Sequence, residues 1–316
     1  MIRIVVSFSL PLMSKMILWT CFVIISLTSL TQAENHRNVL MLIADDLRPN
    51  VGPYQDVNDP YFNSPIMITP NIDALAEKSL VLTKAYTQVA LCGPSRNSFL
   101  TGRRADTTRC YVTDDRFREE GGEAIVTLPQ FFKQNGYKCV GAGKIFHPGL
   151  PNINSASDDW PTSWTTKLFH TESTDVKHIS WHAHTKEEME ETPLRDIVNA
   201  DHAIDLMREL APDALLGVKP FFLAFGVHKP HMPWDFPEEF LDLYPEDEID
   251  IPANPYIPDD MPDSAWSRPT GLLNFPDCNA EGTGIPDIGQ PNVTYSDQKM
   301  KELRRAYYAS ISFADQ

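Results

Sequence analysis

The chain has 316 residues, of which 42% are hydrophobic, and this is enough for one large α/β domain or two small ones. Its 43 acidic residues outnumber its 27 basic residues, which leaves a formal net charge of −16. A charge of this sign argues against a nucleic-acid-binding protein, whose contact surface would be basic.

The N-terminus has the pattern of a secretory signal. Lys15 precedes an apolar stretch at residues 16–30, and Thr31-Gln32-Ala33 offers a small-residue cleavage site. Residues 1–33 are therefore predicted to be a signal peptide. The apolar stretch is shorter than a typical membrane span, so we expect no stable membrane anchor, with an uncleaved anchor as the alternative.

Apolar strands alternate with helical patterns along the rest of the chain. Strands are predicted at residues 38–44, 138–143 and 220–227, and the first and last are apolar enough to be buried on both faces. Helices are predicted at residues 69–79 (capped by Thr69, with Leu75 facing inward), 127–135 (capped by Thr127 and ended by Gly136), 196–210 and 297–313. This alternation indicates βαβ units and a largely parallel sheet.

Residues 251–291 interrupt this pattern. The stretch contains eight prolines and has no clear periodicity. Because a helical pattern resumes after it, we interpret it as a long ordered surface excursion of a single domain at residues 34–316.

The five cysteines do not form a disulfide framework. Cys21 lies in the predicted signal peptide, and Cys92 lies in a motif of its own. Cys110, Cys139 and Cys278 remain, and an odd set of three can form at most one pair.

Cys92 begins the most informative run of the chain, Cys-Gly-Pro-Ser-Arg at residues 92–96. Pro94 suits the first position of a helix, so the thiol is predicted at a helix N-terminus, which favours negative charge. Arg96 and Arg103 add cations that suit a tetrahedral oxyanion such as sulfate or phosphate. The pattern predicts an activated nucleophile in an anion pocket, and the alternative is a buried structural cysteine beside a helix.

Two carboxylates follow the first predicted strand directly. Asp45 and Asp46 would lie at the C-terminal edge of the sheet, where α/β proteins build their sites. Adjacent hard oxygen ligands suit Ca²⁺ or Mg²⁺. The alternative is a solvated turn at the strand end.

Lysine and histidine residues follow the other two predicted strands. Lys144 and His147 come three residues apart after the second strand, and His228 and His231 follow the third. Prolines at 230 and 233 rule out a helical zinc-binding pair, so a loop presenting one or both rings is the better interpretation. Taken singly, each residue is more often a surface lysine or a hydrogen-bonded core histidine.

These motifs together resemble the sulfatase family. Residues 92–104 contain the family's modification signature, Cys-x-Pro-x-Arg followed by Leu-Thr-Gly-Arg, and the strand ending in Asp-Asp is similar to the family's first strand. The runs at residues 144–148, 228–233 and 239–245 are similar to those of the iduronate-2-sulfatase branch. The similarity covers about residues 38–316. It implies the α/β sulfatase fold, which is alkaline-phosphatase-like, with a largely parallel central sheet flanked by helices on both faces.

The resemblance implies a role for each matching residue. Cys92 would be oxidised to formylglycine, an aldehyde whose hydrate attacks sulfur. Arg96 and Lys144 would stabilise that hydrate, and His147 would assist its deprotonation and the release of sulfate. His231 would contact the sulfate, as would Lys144, and would protonate the leaving alkoxide. His228 would hold these residues in place without contacting the substrate.

The resemblance also implies a cofactor, partners and a compartment. One Ca²⁺ ion would be bound by Asp45, Asp46 and residue 92. The substrate would be a sulfated glycosaminoglycan, with the 2-sulfate of iduronate as the target, and a formylglycine-generating enzyme would act during maturation. The protein would be lysosomal or secreted, and an N-glycosylation sequon at residues 292–294 is consistent with that route.

One family element has no counterpart here. Sulfatases complete their calcium site with a late Ser-Asp-His-Gly or Ser-Asp-Asn-Gly element, and Ser296-Asp297-Gln298 reads instead as a helix start. We therefore expect the chain to be an N-terminal portion of a sulfatase, with the C-terminal part missing. Two alternatives stay open, namely a catalytically dead binder of sulfated glycans and a phosphohydrolase of the same superfamily.

Overall fold

The structure is a computed structural model that describes residues 36–55, 67–113, 115–147, 158–172 and 174–316. The predicted signal peptide lies outside the described residues. Five strands are described, β1 to β5 in chain order: Val39–Ala44, Lys138–Gly143, Trp181–His184, Phe221–Val227 and Trp234–Pro237. The α-helices described, α1 to α9 in chain order, are Pro70–Ala76, Cys92–Thr101, Ala105–Thr108, Leu128–Gln134, Lys186–Glu191, Arg195–Leu215, Thr270–Leu273, Ala280–Thr283 and Asp297–Asp315.

The three predicted strands form one parallel sheet in the order β1-β4-β2. The strand β4 lies in the centre, with Val39 paired to Phe222 on one side and Cys139 paired to Phe222 on the other. This arrangement confirms the predicted parallel α/β architecture and brings the C-terminal ends of all three strands to one edge.

Helices cover both faces of this sheet. The long helix α6 packs against one face, where Leu223 and Val140 contact Ala203 and Leu210. The other face carries Phe222 in a core that includes residues of α2 and α4. The side chains of β4 are apolar, which suits a strand that is covered on both faces, as its sequence predicts.

The strand β1 differs from its prediction of burial on both faces. It lies at an edge of the described sheet, and Leu40 and Leu42 are 46% and 58% exposed. The alternation of half-buried and exposed residues shows that only one of its faces is covered by the described residues.

A second, two-stranded parallel sheet pairs β3 with β5. The helix α9 packs against β5, and together they bury Phe236, Tyr244 and Ile311 in a separate core. The sequence pattern predicts α9 but neither of these four-residue strands.

The helix α1 is shorter than predicted and uses a different cap. It ends at Ala76 rather than near residue 79, and Leu75 is 59% exposed instead of facing the core. The side chain of Thr69 caps no backbone N–H group. The carboxylate of Asp315 in α9 accepts those hydrogen bonds, from the N–H groups of Asn71 (2.9 Å) and Ile72 (2.7 Å).

The predicted N-cap of α4 at Thr127 and its end at Gly136 are confirmed. Thr127 and Gln130 form a reciprocal capping box at its start, and Gly136 adopts a left-handed φ of 91° just after its end. The remaining cysteines form no bridge, because Cys110, Cys139 and Cys278 are all buried free thiols.

The proline-rich stretch has little regular structure. It contains a 3-10 turn at Asp263–Ala265 and the short helices α7 and α8. Asp277 anchors it, since its carboxylate accepts hydrogen bonds from Ser180 and Lys299. Within residues 36–316, and leaving out the gaps named above, no helix has the length and apolar content needed to cross a membrane.

The central sheet should dominate the stability of the fold. Phe222→Ala removes a fully buried ring from the middle strand and is expected to lower the free energy of unfolding by about 3–5 kcal/mol. The matched change Phe131→Ala, at a ring that is 55% exposed, should cost well under half as much. Urea denaturation of both variants measures the difference, and equal costs would contradict this account of the core.

Candidate active site

The site lies where three strands end. Asp45 and Asp46 follow β1, Lys144 follows β2, and the loop of His228 and His231 follows β4. Since β4 lies between β1 and β2 in a parallel sheet, all three segments meet at its C-terminal edge, the place where open α/β sheets bind ligands.

A buried carboxylate links these segments to α2. Oδ1 of Asp45 accepts a hydrogen bond from Nη2 of Arg96 at 2.8 Å, and Oδ2 pairs with Nζ of Lys144. All three side chains are at most 6% exposed. Burial raises the pKa of Asp45, but the two cations outweigh it and lower this pKa to about 2, so the carboxylate is charged.

Arg96 also fixes the end of β2. Its Nη1 donates to the carbonyl oxygens of Lys144 and Ile145, the latter at 2.9 Å. These bonds tie the helix that carries Cys92 to the strand end that carries Lys144, so the two residues keep a constant relative position.

Cys92 occupies the first residue of α2, which corrects the predicted role of Pro94. The helix begins at Cys92 with Leu91 as its N-cap, so Pro94 is the third helical residue and not the first. Its missing N–H costs nothing there, because the first turn has no helical acceptors for its N–H groups. The predicted placement of residue 92 at a helix N-terminus is confirmed.

The thiol of Cys92 faces two carboxylates. Its Sγ lies 3.9 Å from Oδ2 of Asp45 and 3.8 Å from Oδ1 of Asp46. Burial, together with the charges of the two aspartates, raises its pKa to about 11 despite Lys144 and Arg96 nearby. The position at a helix N-terminus therefore does not lower the pKa of the unmodified thiol.

Asp46 and His231 form the exposed side of the site. Nε2 of His231 lies 3.7 Å from Oδ2 of Asp46, and the two side chains are 40% and 52% exposed. Asp46 has a left-handed φ of 57°, and its carbonyl oxygen accepts a hydrogen bond from the hydroxyl of Tyr307 in α9 at 2.8 Å. The second core thus helps to hold the first strand end in place.

Asp196, which no sequence motif marks, positions the loop after β4. Its buried carboxylate accepts hydrogen bonds from the N–H groups of His228 and Lys229 at 2.9–3.0 Å and contacts Nδ1 of His228 at 3.0 Å. His228 is turned towards α6 by these bonds, which agrees with a supporting role. His231 follows three residues later and reaches the site.

His147 is half enclosed beside these charges. Its Nδ1 is buried without a hydrogen-bond partner among the described residues. Burial, followed by the charges of Lys144 and Arg96, lowers the pKa of His147 to about 4, so the ring is neutral near pH 7. A neutral imidazole with a free ring nitrogen is able to accept a proton.

Among the described residues, no hydrogen bond or ion pair joins Arg103, the second predicted cation, to Asp45 or Cys92. Arg103 is exposed and lines, with Ser95, Ser98, Phe99 and others, a cavity of about 560 Å³. Of the described residues, Arg96, Lys144 and Cys92 contact Asp45, and none of these three lines the cavity. Arg96 and Lys144 are therefore the cations that the structure places beside Cys92.

The predicted metal ligands converge. Ligand atoms of Asp45, Cys92 and His231 lie within 4.8 Å of one another, and Asp46 contacts both Cys92 and His231. Carboxylate oxygen atoms from two aspartates suit Ca²⁺ or Mg²⁺. Both oxygens of Asp45 already bind cationic side chains, but a carboxylate has about four lone-pair sites and can accept further ligands.

Comparison with known proteins decides the family. The sequence model of the family described as Sulfatase matches residues 37–316. The chain belongs to the sulfatase family. The resemblance carried by the motifs around Cys92 is thereby confirmed.

Among sulfatases, the chain is 35% identical to the iduronate 2-sulfatase of Mus musculus over 308 residues, covering 93% of this chain and 52% of that protein. It is 35% identical to the iduronate 2-sulfatase of Homo sapiens over 325 residues, covering 96% and 56%. The chain thus spans about half the length of the curated relatives it matches.

A solved structure supports the sulfatase fold. The phosphonate monoester hydrolase of Agrobacterium radiobacter superposes with a TM-score of 0.54 at 16% identity, covering 89% of this chain and 57% of that one. At this identity the likeness concerns the fold alone. It confirms the predicted alkaline-phosphatase-like class.

The role of Asp196 can be tested by removing its charge. Burial raises the pKa of Asp196, but the hydrogen bonds from His228 and Lys229 outweigh it, so the folded-state pKa lies below its ordinary value. The carboxylate therefore stabilises the fold at neutral pH, and this stabilisation disappears as the pH falls through the folded-state pKa.

Asp196→Asn is accordingly expected to lower the free energy of unfolding by about 1.5–3 kcal/mol at pH 7, and by less in acid. Chemical denaturation at several pH values measures both effects. Asp201→Asn, at an exposed position of the same helix, should change little. A deficit for Asp196→Asn that is the same at every pH would contradict the assignment.

Proposed function

We propose that this protein hydrolyses sulfate esters, with residue 92 acting after its conversion into formylglycine. The observation that carries the proposal is the convergence of Cys92 with Asp45, Arg96 and Lys144 at the C-terminal edge of the sheet. Membership of the sulfatase family and the intact signature around Cys92 support it.

For the substrate, we propose the 2-sulfate of iduronate in a glycosaminoglycan such as heparan or dermatan sulfate. The support is the 35% identity to two proteins named iduronate 2-sulfatase, together with the motifs at residues 144–148 and 228–233. Turnover of sulfate esters against phosphate and phosphonate monoesters separates this proposal from a phosphohydrolase of similar fold.

Arg96 and Lys144 would hold negatively charged oxygen atoms beside residue 92. Both are buried and fixed by Asp45, so they need little reorganisation when negative charge develops. Arg96 is further held by two carbonyl oxygens, whereas Nζ of Lys144 has a flexible stem and is the better group to reach the sulfate.

His231 would donate the proton to the leaving alcohol. Its Nδ1 contacts the carbonyl oxygen of Met232, which can only accept a hydrogen bond, so this nitrogen carries a proton. The second nitrogen, Nε2, faces the exposed side of the site near Asp46, where a substrate oxygen can approach. A ring that is protonated at both nitrogens can give up the Nε2 proton.

The charge balance of the site supports a bound divalent cation. Asp45 and Asp46 carry two negative charges, and Arg96 and Lys144 carry two positive charges, so these side chains cancel each other. An anionic ester requires a locally positive pocket, and these four groups alone do not supply it. We propose one Ca²⁺ ion on Asp45, Asp46 and residue 92, where it would supply the missing positive charge.

The proposed chemistry requires a maturation partner and a compartment. A formylglycine-generating enzyme would oxidise Cys92, and the predicted signal peptide would deliver the chain to the secretory pathway, with a lysosomal or secreted destination. Asn292 of the sequon is exposed, as a glycosylated residue must be.

Cys92→Ser is expected to abolish sulfate release from a 2-sulfated iduronate oligosaccharide while leaving thermal unfolding nearly unchanged. Protein from cells that contain the maturation enzyme should also show, by peptide mass spectrometry, that an aldehyde oxygen has replaced the sulfur at residue 92. The matched control Ser95→Ala leaves the Cys-x-Pro-x-Arg signature intact and should be modified normally. Sulfate release by Cys92→Ser, or an unmodified active protein, would contradict the proposal.

His147 gives the proposal a pH dependence. A group that accepts a proton acts only in its neutral form, so kcat/KM should fall as the pH drops through about 4. Lys144→Met removes a charge that lowers this pKa, and the ring titration of His147, followed by NMR, should move up towards 6.5. The exposed Lys84→Met should leave the titration unchanged, and a midpoint equal in all three proteins would contradict this assignment.

A further inference from the structure

We propose that His182, His184 and Glu188 form a second metal site, which binds a divalent cation of the zinc class. These residues lie on β3 and α5, whereas Cys92 begins α2 and Asp45 follows β1. The sulfatase chemistry proposed above uses none of them.

The local sequence places the three side chains together. His182 and His184 are two positions apart on a strand, so they project from the same face. Thr185 then caps α5 in a reciprocal capping box, in which the Thr185 N–H donates to Oε2 of Glu188 at 2.8 Å. The box turns the carboxylate of Glu188 back towards the strand.

The distances suit a small cation. Nε2 of His182 lies 3.2 Å from both carboxylate oxygens of Glu188. Two ligands bound at about 2.0 Å with tetrahedral geometry are about 3.3 Å apart. Ligand atoms of all three residues lie within 4.8 Å of one another, so small side-chain rotations would complete a three-ligand site.

A buried carboxylate orients one of the histidines. Oδ1 of Asp235 lies 3.1 Å from Nε2 of His184, and Asp235 is 1% exposed. Because a carboxylate only accepts hydrogen bonds, Nε2 carries the proton and the lone pair of the ring is on Nδ1. Metal-binding histidines in proteins commonly donate the N–H of the other ring nitrogen to such a carboxylate.

The ligand types select the class of cation. Two imidazole nitrogens and one carboxylate suit Zn²⁺ and related transition metals, whereas Ca²⁺ prefers oxygen ligands alone. The side chains of His182 and Glu188 are 37% and 47% exposed, so a cation can enter from solvent and retain a water molecule as its fourth ligand.

The cation would hold together β3 and α5, which precede the loop of His231 in the chain. It would join β3 to α5, and through Asp235 to β5. Asp235 also pairs with Lys229, at 3.9 Å, in the loop that carries His231. We therefore assign the site a role in holding this loop.

Titration of the protein with Zn²⁺ alone tests the proposal. All measurements use a Cys92→Ala background, which removes the active-site thiol as a competing ligand. Calorimetry with a competing chelator gives stoichiometry and affinity, and Co²⁺ as a substitute reports geometry through its visible absorption. Circular dichroism shows whether each variant is folded.

His182→Ala and Glu188→Gln are the informative variants, since glutamine preserves the capping box while removing the charge. Each is expected to lose one equivalent of Zn²⁺, or to bind it at least tenfold more weakly. Asp235→Asn should weaken binding about 10–100-fold. The controls His178→Ala and Glu187→Gln change exposed residues of the same types nearby and should bind like the parent.

Two results would overturn the proposal. One is Zn²⁺ binding that is equal in the parent, His182→Ala and Glu188→Gln, which would show that the three side chains form only an ion-pair cluster. The other is an equal loss of binding in the two control variants.

Discussion

The carboxylate of Asp45 is the contact on which the rest of the site depends. It binds Arg96 of α2 with one oxygen and Lys144 after β2 with the other. Three segments that are distant in sequence are thereby joined through one buried ionised group. Burying a charge is costly unless it is paired, and here both oxygens are paired. Removing any member of this triad would leave a buried charge without its partner, so we regard the three as one unit.

A second buried carboxylate, that of Asp196, fixes another strand end, the loop after β4. Asp196 of α6 binds two successive N–H groups after β4, which sets the direction of the loop from His228 to His231. The active site is therefore built from strand ends that helices fix through charged hydrogen bonds. Helices α2 and α6 lie on opposite faces of the sheet, so the edge is held from both sides.

The sequence predicted the elements whose signals are local and missed those that depend on distant contacts. The strand β2 was predicted with its observed bounds, and the start of α4 follows from Thr127 alone. Asp45, Asp46, Lys144 and His231 converge after the three strands, because parallel strands share one edge. Asp196 and Asp235 were missed, since a single aspartate has no pattern that marks its distant partner. The cap of α1 was missed for the same reason, because its N–H groups bind Asp315, more than 240 residues away.

The thiol pKa and the charge balance of the site lead to the same conclusion about its chemistry. A thiol whose pKa is raised to about 11 is almost entirely protonated at neutral pH and is a poor nucleophile. The carboxylates of Asp45 and Asp46, which raise this pKa, are the groups expected to bind a cation. Without a bound cation, this arrangement disfavours a thiolate. A hard cation such as Ca²⁺ on the two carboxylates would favour an oxygen ligand at residue 92 over sulfur. Conversion of the thiol into an oxygen-bearing side chain would therefore improve both the nucleophile and the cation site in one step.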